Sequence, residues 1–441
     1  MSLFPQNALN PGVRKREVFG WAMYDFANSG YTTVVLTAVF SAYFVGGVAG
    51  GQAWATLAWT AALAVSSLIV MFTMPAIGAY ADLRAAKKRL LVLSTLGCVV
   101  TTAALAGAGP GDVAWALAAI VLSNVFYAYG ESLIAAFLPE LARPDRLGSV
   151  SGWGWSFGYL GGMLALGACL WYVLSAQAHG LPASHFVPVT MLITAAIYGA
   201  AALVTFALLG ERARPQRRSS QGAGVRASLQ RLRRTWSEAR SFRDFTALMT
   251  CSVAYQAGIS VVIALAAVYA EQVLGFRQTE TMMLIFLVNI AAALGAFAWG
   301  YVQDRIGHRP ALAMTLAGWV VMTVLAALAT GPGLFWVAAV IAGLCMGSSQ
   351  SAGRALAGVL APASRRAEFY GLWTFAVRLS AVLGPMTYGL VTWVTGGNHR
   401  LGIVSTGLFF VAGLILLRLV DVPRGMAAAE AAGEGLHRQQ V

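Results

Sequence analysis

Twelve apolar runs, each about 20 residues or longer, follow one another along the 441-residue chain. A run of that length crosses the hydrocarbon core of a bilayer as a helix. Only helices and closed barrels satisfy every backbone polar group there. The runs cover roughly 18–45, 54–81, 89–108, 113–138, 149–175, 187–209, 244–271, 280–301, 310–330, 333–360, 369–395 and 401–420. Glycine, proline or charge marks the breaks, as at Gly109-Pro110-Gly111 and Gly331-Pro332-Gly333. The expected fold class is an all-α membrane protein with twelve transmembrane helices. Only 11% of the residues are charged, less than half the share in a soluble domain.

The net charge of +13 does not point to nucleic acid, because its distribution is that of a membrane protein. Arg14, Lys15 and Arg16 precede span 1, and Arg84, Lys87, Lys88 and Arg89 follow span 2. Arg143 and Arg146 follow span 4, Arg305 and Arg309 span 8, and Arg365 and Arg366 span 10. In the alternate loops the exceptions are Arg277 and Arg400. The positive-inside rule then places both termini in the cytoplasm. The polar first 17 residues and the length of the first run argue against a cleaved signal peptide, so the first helix is expected to be retained. Cys98, Cys169, Cys251 and Cys345 show neither a disulfide framework nor metal-ligand spacing. Residues 210–243 form a basic connector, read as a solvated linker or, over Ser228 to Phe242, as an amphipathic helix on the anionic leaflet.

Two pairs of segments echo each other. GAYADLRAAKKR after span 2 matches GYVQDRIGHR after span 8, with Asp82 and Asp304 222 residues apart. LARPDRLGSVSG after span 4 matches LAPASRRAEFYG after span 10, with Gly152 and Gly371 219 residues apart. One shared offset indicates two duplicated six-helix halves, as in secondary transporters. The division is 1–209 for the first half, 210–243 for the linker, 244–420 for the second half and 421–441 for a cytoplasmic tail. The loop Gly-x-x-x-Asp-Arg-x-Gly-x-Arg resembles the signature of the major facilitator superfamily. Glycine permits close helix approach, and an aspartate caps a helix N-terminus or pairs with a neighbouring arginine. Gly78, Asp82, Gly300, Asp304, Arg305 and Arg309 are therefore expected to act as a conformational latch. The first copy has Leu83 where the motif has arginine.

A closer resemblance covers most of the chain. WAMYDFANSGY (Trp21 to Tyr31) resembles the first-helix signature of the vacuole-effluxer (autophagy-related amino-acid exporter) family, whose bacterial members are often called the unknown major facilitator family. FLPELARPDRLGSVSGWGWSFGYLGG (Phe137 to Gly162) resembles its span 4–5 block. QSAGRALAGVLAP (Gln350 to Pro362) and AEFYGLWTFAVRLSAVLGP (Ala367 to Pro385) resemble its span 10–11 block. The resemblance implies the twelve-helix facilitator fold, secondary transport and, for the eukaryotic branch, amino-acid export from the vacuole. The chain departs from the family at Leu133, Ile134 and Ala135, at Gly353 and Ala355, and at Arg378, where a lysine is usual.

Ionisable groups inside a membrane span mark functional sites by default. In span 1, Trp21, Tyr24, Asp25, Asn28 and Thr32 recur at helical spacing and read as one polar stripe. Span 4 offers Asn124, Tyr127 and Glu131, spans 7 and 8 offer Gln256 and Asn289, span 10 offers Gln350 and Arg354, and span 11 offers Arg378. At 1.5 Å per residue, Asp25 and Glu131 each lie about 10 Å from the cytoplasmic ends of their spans, with both arginines at similar depth. In the facilitator fold this puts Asp25, Glu131 and Arg354 around one chamber, with Arg378 behind or beside it. Three readings compete. The arginines hold an anionic or zwitterionic substrate while an acid takes up a proton. Or acids and arginines pair across the halves as a gate. Or each is a satisfied structural pair within one half.

The expected function is secondary transport of a small polar solute, an amino acid or related zwitterion or anion, across a bacterial inner membrane. Alternating access, proton coupling and a monomer are part of this expectation. The rivals are a transporter of amphiphiles such as lysolipids, lipid-linked intermediates or drugs, and a non-transporting sensor or assembly factor. No Walker loop, dinucleotide fingerprint or nucleophile–base pair stands out, so neither an enzyme nor a cofactor is expected.

Overall fold

The computed structural model describes residues 4–213 and 242–438. Twelve of its helices are long and apolar enough to cross a membrane. They are α1 (Lys15–Val48), α2 (Ala55–Arg84), α3 (Lys87–Gly107), α4 (Val113–Leu141), α5 (Pro144–Ala178) and α6 (Ala183–Leu208). The second set is α7 (Arg243–Ala266), α8 (Met283–Ile306), α9 (His308–Leu328), α10 (Pro332–Val359), α11 (Ala363–Val394) and α12 (His399–Leu417). The expected amphipathic segment, Ser228 to Phe242, lies almost wholly outside the described residues. The expected tail contains a further helix, α13 (Val422–Arg438), held to the start of α7 by a bidentate Arg424–Asp244 pair at 2.6 and 2.9 Å.

The duplication read from the sequence is the architecture. α1 packs on α5 and α6, as α7 packs on α11 and α12. α3 packs on α4 and α6, as α9 packs on α10 and α12, and α2 lies on α4 as α8 lies on α10. Two seams join the halves, α5 against α8 and α2 against α11, each the counterpart of the other. This is the major facilitator fold.

The two loop motifs turn the chain at the same end of the bundle, the end that bears the start of α1 and the end of α12. We call it the inner end. Gly307 makes the second turn with φ 93°, open to glycine at little cost. Ala85 makes the first with φ 49°, the single described non-glycine residue with positive φ.

α1 is α-helical as far as Tyr31 and then widens into π-type turns over Thr32–Ala38 and Phe44–Val48. Such turns interrupt a regular helix and are frequent at functional sites. The acid of the WAMYDFANSGY segment therefore sits in the regular part of the helix, and the irregular part lies beyond it.

Candidate functional site

At both seams an aspartate of one half caps a helix of the other. Asp304, at the end of α8, accepts from the backbone N–H groups of Gly148 (2.9 Å) and Ser149 (3.1 Å) in the first turn of α5. Asp82, at the end of α2, accepts from those of Ala367 (3.2 Å) and Glu368 (2.9 Å) in the first turn of α11. A carboxylate there satisfies orphan N–H groups and meets the positive end of the helix dipole. Gly78 and Gly300 let the helices approach this closely. A Cβ on Gly300 would lie 2.6 Å from the Gly148 carbonyl oxygen, and one on Gly78 would meet the backbone of Ala367 and Glu368.

The motif's arginines stand elsewhere. Arg305 is exposed, and Arg309 donates to the carbonyl of Arg418 (3.2 Å) at the end of α12, within its own half. The Asp304 carboxylate is taken up by backbone N–H groups across the seam, and neither arginine pairs with an acid among the described residues.

Deeper in, two ion pairs cross the halves. Arg354 of α10 reaches Asp25 of α1 at 2.7 Å. Its Nε donates to the Ser151 hydroxyl (3.1 Å) and its Nη2 to the Ser151 carbonyl (2.8 Å). Ser151 in turn donates to the Ser351 carbonyl (2.9 Å). The indoles of Trp21 and Trp155 cover the guanidinium at 4.7 and 5.4 Å, which adds cation–π attraction in a desolvated place. The arginine side chain is 8% exposed. Each of its three nitrogens has a partner, and the site is sealed.

The second pair is different. Arg378 of α11 donates to Glu131 of α4 at 3.1 Å and lies 5.7 Å from the Tyr127 ring. The Glu131 side chain is 38% exposed although it lies within the span. The Arg378 Nε is buried with no partner, and so are the indole N–H of Trp155, the hydroxyl of Tyr255 and the amide oxygen of Asn124. A buried polar group without a partner is costly, so the free Arg378 donor beside the Glu131 carboxylate suits a polar ligand or water.

Both pairs cross between the halves, so they are not the within-half structural pairs that were one of the three readings. Arg378, expected behind or beside the chamber, touches Glu131 directly. The hydrogen bonds described between the halves lie from the inner end to about the level of Ser156, whose hydroxyl donates to the Ala293 carbonyl (2.9 Å). None is described across the outer portions of the helices.

The remaining candidates are dispersed. Tyr24 bonds Thr95 (2.8 Å), and Tyr198 donates to Asn28 (2.8 Å), so these two residues tie α1 to α3 and α6 inside the first half. Residues 24 and 25 project about 100° apart on a helix, and the apparent stripe is two faces. Asn124 bonds Ser66 of α2, Gln256 donates to Gln350 (2.8 Å) between α7 and α10, and the Asn289 amide donates to its own helix at Ile285 (2.8 Å).

Ser151, Trp155 and Gly154 were not singled out as site residues from the sequence. A Cβ on Gly154 would lie 2.6 Å from Arg354 Nη2 and 2.6 Å from Trp21, and would also meet the Asp25 carboxylate. The run GSVSGWGWSFG carried the signal, as alternating small residues and tryptophans inside the family-like block Phe137 to Gly162.

Comparison with known proteins places this geometry. The family described as vacuole effluxer Atg22 like matches residues 146–430, and the Major Facilitator Superfamily matches residues 5–166. The chain belongs to the Atg22-like effluxer family of major facilitator transporters. It is thus a membrane transporter of small solutes and not an enzyme. It is 25% identical over 407 residues to YxiO of Bacillus subtilis, an uncharacterized MFS-type transporter, covering 91% of this chain and 94% of that one. It is 28% identical over 225 residues to autophagy-related protein 22 of Coccidioides immitis, covering 46% of this chain but 36% of the fungal protein. Among solved structures, the human organic anion transporter MFSD10 superposes with a TM-score of 0.70 at 15% identity, covering 91% of this chain and 99% of that one. At that identity the likeness concerns the fold alone.

Proposed function

We propose that this Atg22-like transporter moves a small carboxylate-bearing solute, an amino acid or related zwitterion or anion, by alternating access of its two halves. On this reading 1–209 and 244–420 move against each other, joined by the basic linker 210–243 and followed by the tail 421–441. The protein works as a monomer in a bacterial inner membrane with both termini in the cytoplasm.

The observation that supports this most is the contrast between the two ion pairs. Arg354 is saturated and sealed, whereas Arg378 keeps an unpartnered donor and faces a half-buried glutamate. On this reading a cleft opens between the halves on the outer side, and a solute carboxylate entering it takes the Arg378 guanidinium in a charge-assisted bond. Glu131, displaced, takes up a proton or meets the ammonium group of a zwitterion. Proton uptake there couples solute movement to the pH gradient. Asp25–Arg354, with the Asp82 and Asp304 caps, holds the inner end shut and opens when the halves rock.

The test is counterflow in proteoliposomes. Vesicles loaded with one unlabelled amino acid or organic anion at a time are diluted into the labelled solute at pH 5.5 and 7.5. Accumulation that Arg378→Gln abolishes supports the reading. Accumulation of carboxylate-free solutes alone, or uptake unaffected by Arg378→Gln, refutes it.

A further inference from the structure

The motif arginine that the seam does not use lines a groove of its own. Between the start of α9 and the end of α12 lies a cavity of about 250 Å³, bounded by Arg309, Ala313, Leu414, Leu417 and Arg418. The two arginines sit at its rim, Arg309 as the second residue of α9 and Arg418 immediately after α12. The neighbouring residues Met314, Ile415 and Leu419 are 51–58% exposed, which is the exposure of a lipid-facing surface on a membrane helix.

No carboxylate lies within ion-pair distance of Arg309 or Arg418 among the described residues. Arg309 makes one hydrogen bond, to the Arg418 carbonyl, and both residues line the groove with most of their side-chain donors free. Two unpaired positive charges lining one groove attract an anion. The first turn of α9 holds no acid either, so its orphan N–H groups and positive dipole end add to the same field.

We propose that this groove is a binding site for an anionic phospholipid. The head-group phosphate bridges Arg309 and Arg418 at the level where α9 and α12 leave the membrane. An acyl chain lies along Ala313 and Leu414. The aliphatic walls favour a lipid over a free phosphate, because burial of a chain against them contributes in proportion to the apolar area covered. Basic pockets between transmembrane helices at a membrane surface are suited to anionic head groups on the same physical grounds. The proposal does not depend on which solute the cleft carries, since the groove lies within the second half, away from both seams.

The experiment is native mass spectrometry of the full-length protein in detergent with added lipid. Phosphatidylglycerol is compared with phosphatidylcholine of the same chain length, and sn-glycerol 3-phosphate serves as the chain-free probe. Arg418→Gln is the main variant, since the Arg418 side chain is exposed and its carbonyl, the acceptor for Arg309, stays in place. Arg143→Gln, an exposed arginine of the same end, is the control. The expected result is preferential phosphatidylglycerol binding that falls about five-fold in Arg418→Gln, further in the Arg309→Gln/Arg418→Gln double variant, and not in the control. Equal loss in the control, or an unchanged preference in the double variant, overturns the site. Binding of sn-glycerol 3-phosphate as strong as that of the lipid overturns the lipid assignment.

Discussion

Gly154 of α5 faces the Asp25 carboxylate so closely that a methyl group at residue 154 would occupy the space of the ion pair. The bond between the halves thus runs past a bare stretch of α5 backbone, and it needs that bareness as much as it needs the two charges.

The first prediction follows. Gly154→Ala leaves Asp25, Arg354 and Ser151 in place but forces them apart. Overpacking of this kind costs about 1–3 kcal/mol, and it falls on the inner-closed state. All four cysteines are buried, so spin labels can be placed through Arg143→Cys and Arg305→Cys, exposed positions on opposite sides of the α5–α8 seam. Pulsed electron resonance should show the longer-distance population growing in Gly154→Ala.

Arg354→Ala strands Asp25 in a sealed pocket. Removing one partner of a buried pair costs about 3–5 kcal/mol, so a marked drop in thermal stability is expected. Asp25→Asn in the same chain should restore part of it. A double-mutant cycle measures the coupling, and additive losses would mean that the pair is not what holds these residues.

Asp82→Ala and Asp304→Ala each remove a cap across a seam. Loss of such a cap costs about 0.5–2 kcal/mol. Both should therefore shift the spin-label distances towards opening, and together they should do so more than either alone.

The two loop motifs also predict a stabilising change. Ala85 holds a left-handed conformation that costs an L-residue about 1–2 kcal/mol, while its counterpart turn uses Gly307. Ala85→Gly should raise stability by up to about 1 kcal/mol after the extra unfolded-state entropy of glycine is subtracted, read as a higher melting temperature.

Much of this was legible in the sequence, for reasons that also mark its limits. The twelve spans follow from the lengths of apolar runs, which the bilayer thickness fixes. The duplication follows from the common offset of Asp82/Asp304 and Gly152/Gly371. What each aspartate touches does not follow, because an internal repeat reveals the two halves but not the seam between them. Arg309 therefore read as part of the latch, although it lies against the end of α12. Asp25, Glu131, Arg354 and Arg378 stood out because charge in hydrocarbon is rare, yet their pairing across the halves is a long-range contact that no spacing encodes. Tyr24 and Asn28 were grouped with Asp25 because helical periodicity resolves a face only coarsely. Gly154 and Ser151 were silent because a small residue that makes room for an ion pair looks like one that makes room for a helix.

The most direct test of the central claim, that Arg378 receives the solute while Arg354 holds the halves together, is a binding measurement. Once counterflow has found a transported solute, its dissociation constant is measured by isothermal titration calorimetry on wild type, Arg378→Gln and Arg354→Gln. Loss of one charge-assisted contact, about 1.5–3 kcal/mol, predicts at least a ten-fold weaker affinity in Arg378→Gln, with binding retained in Arg354→Gln. Undiminished affinity in Arg378→Gln, or binding abolished in a folded Arg354→Gln, would contradict the account.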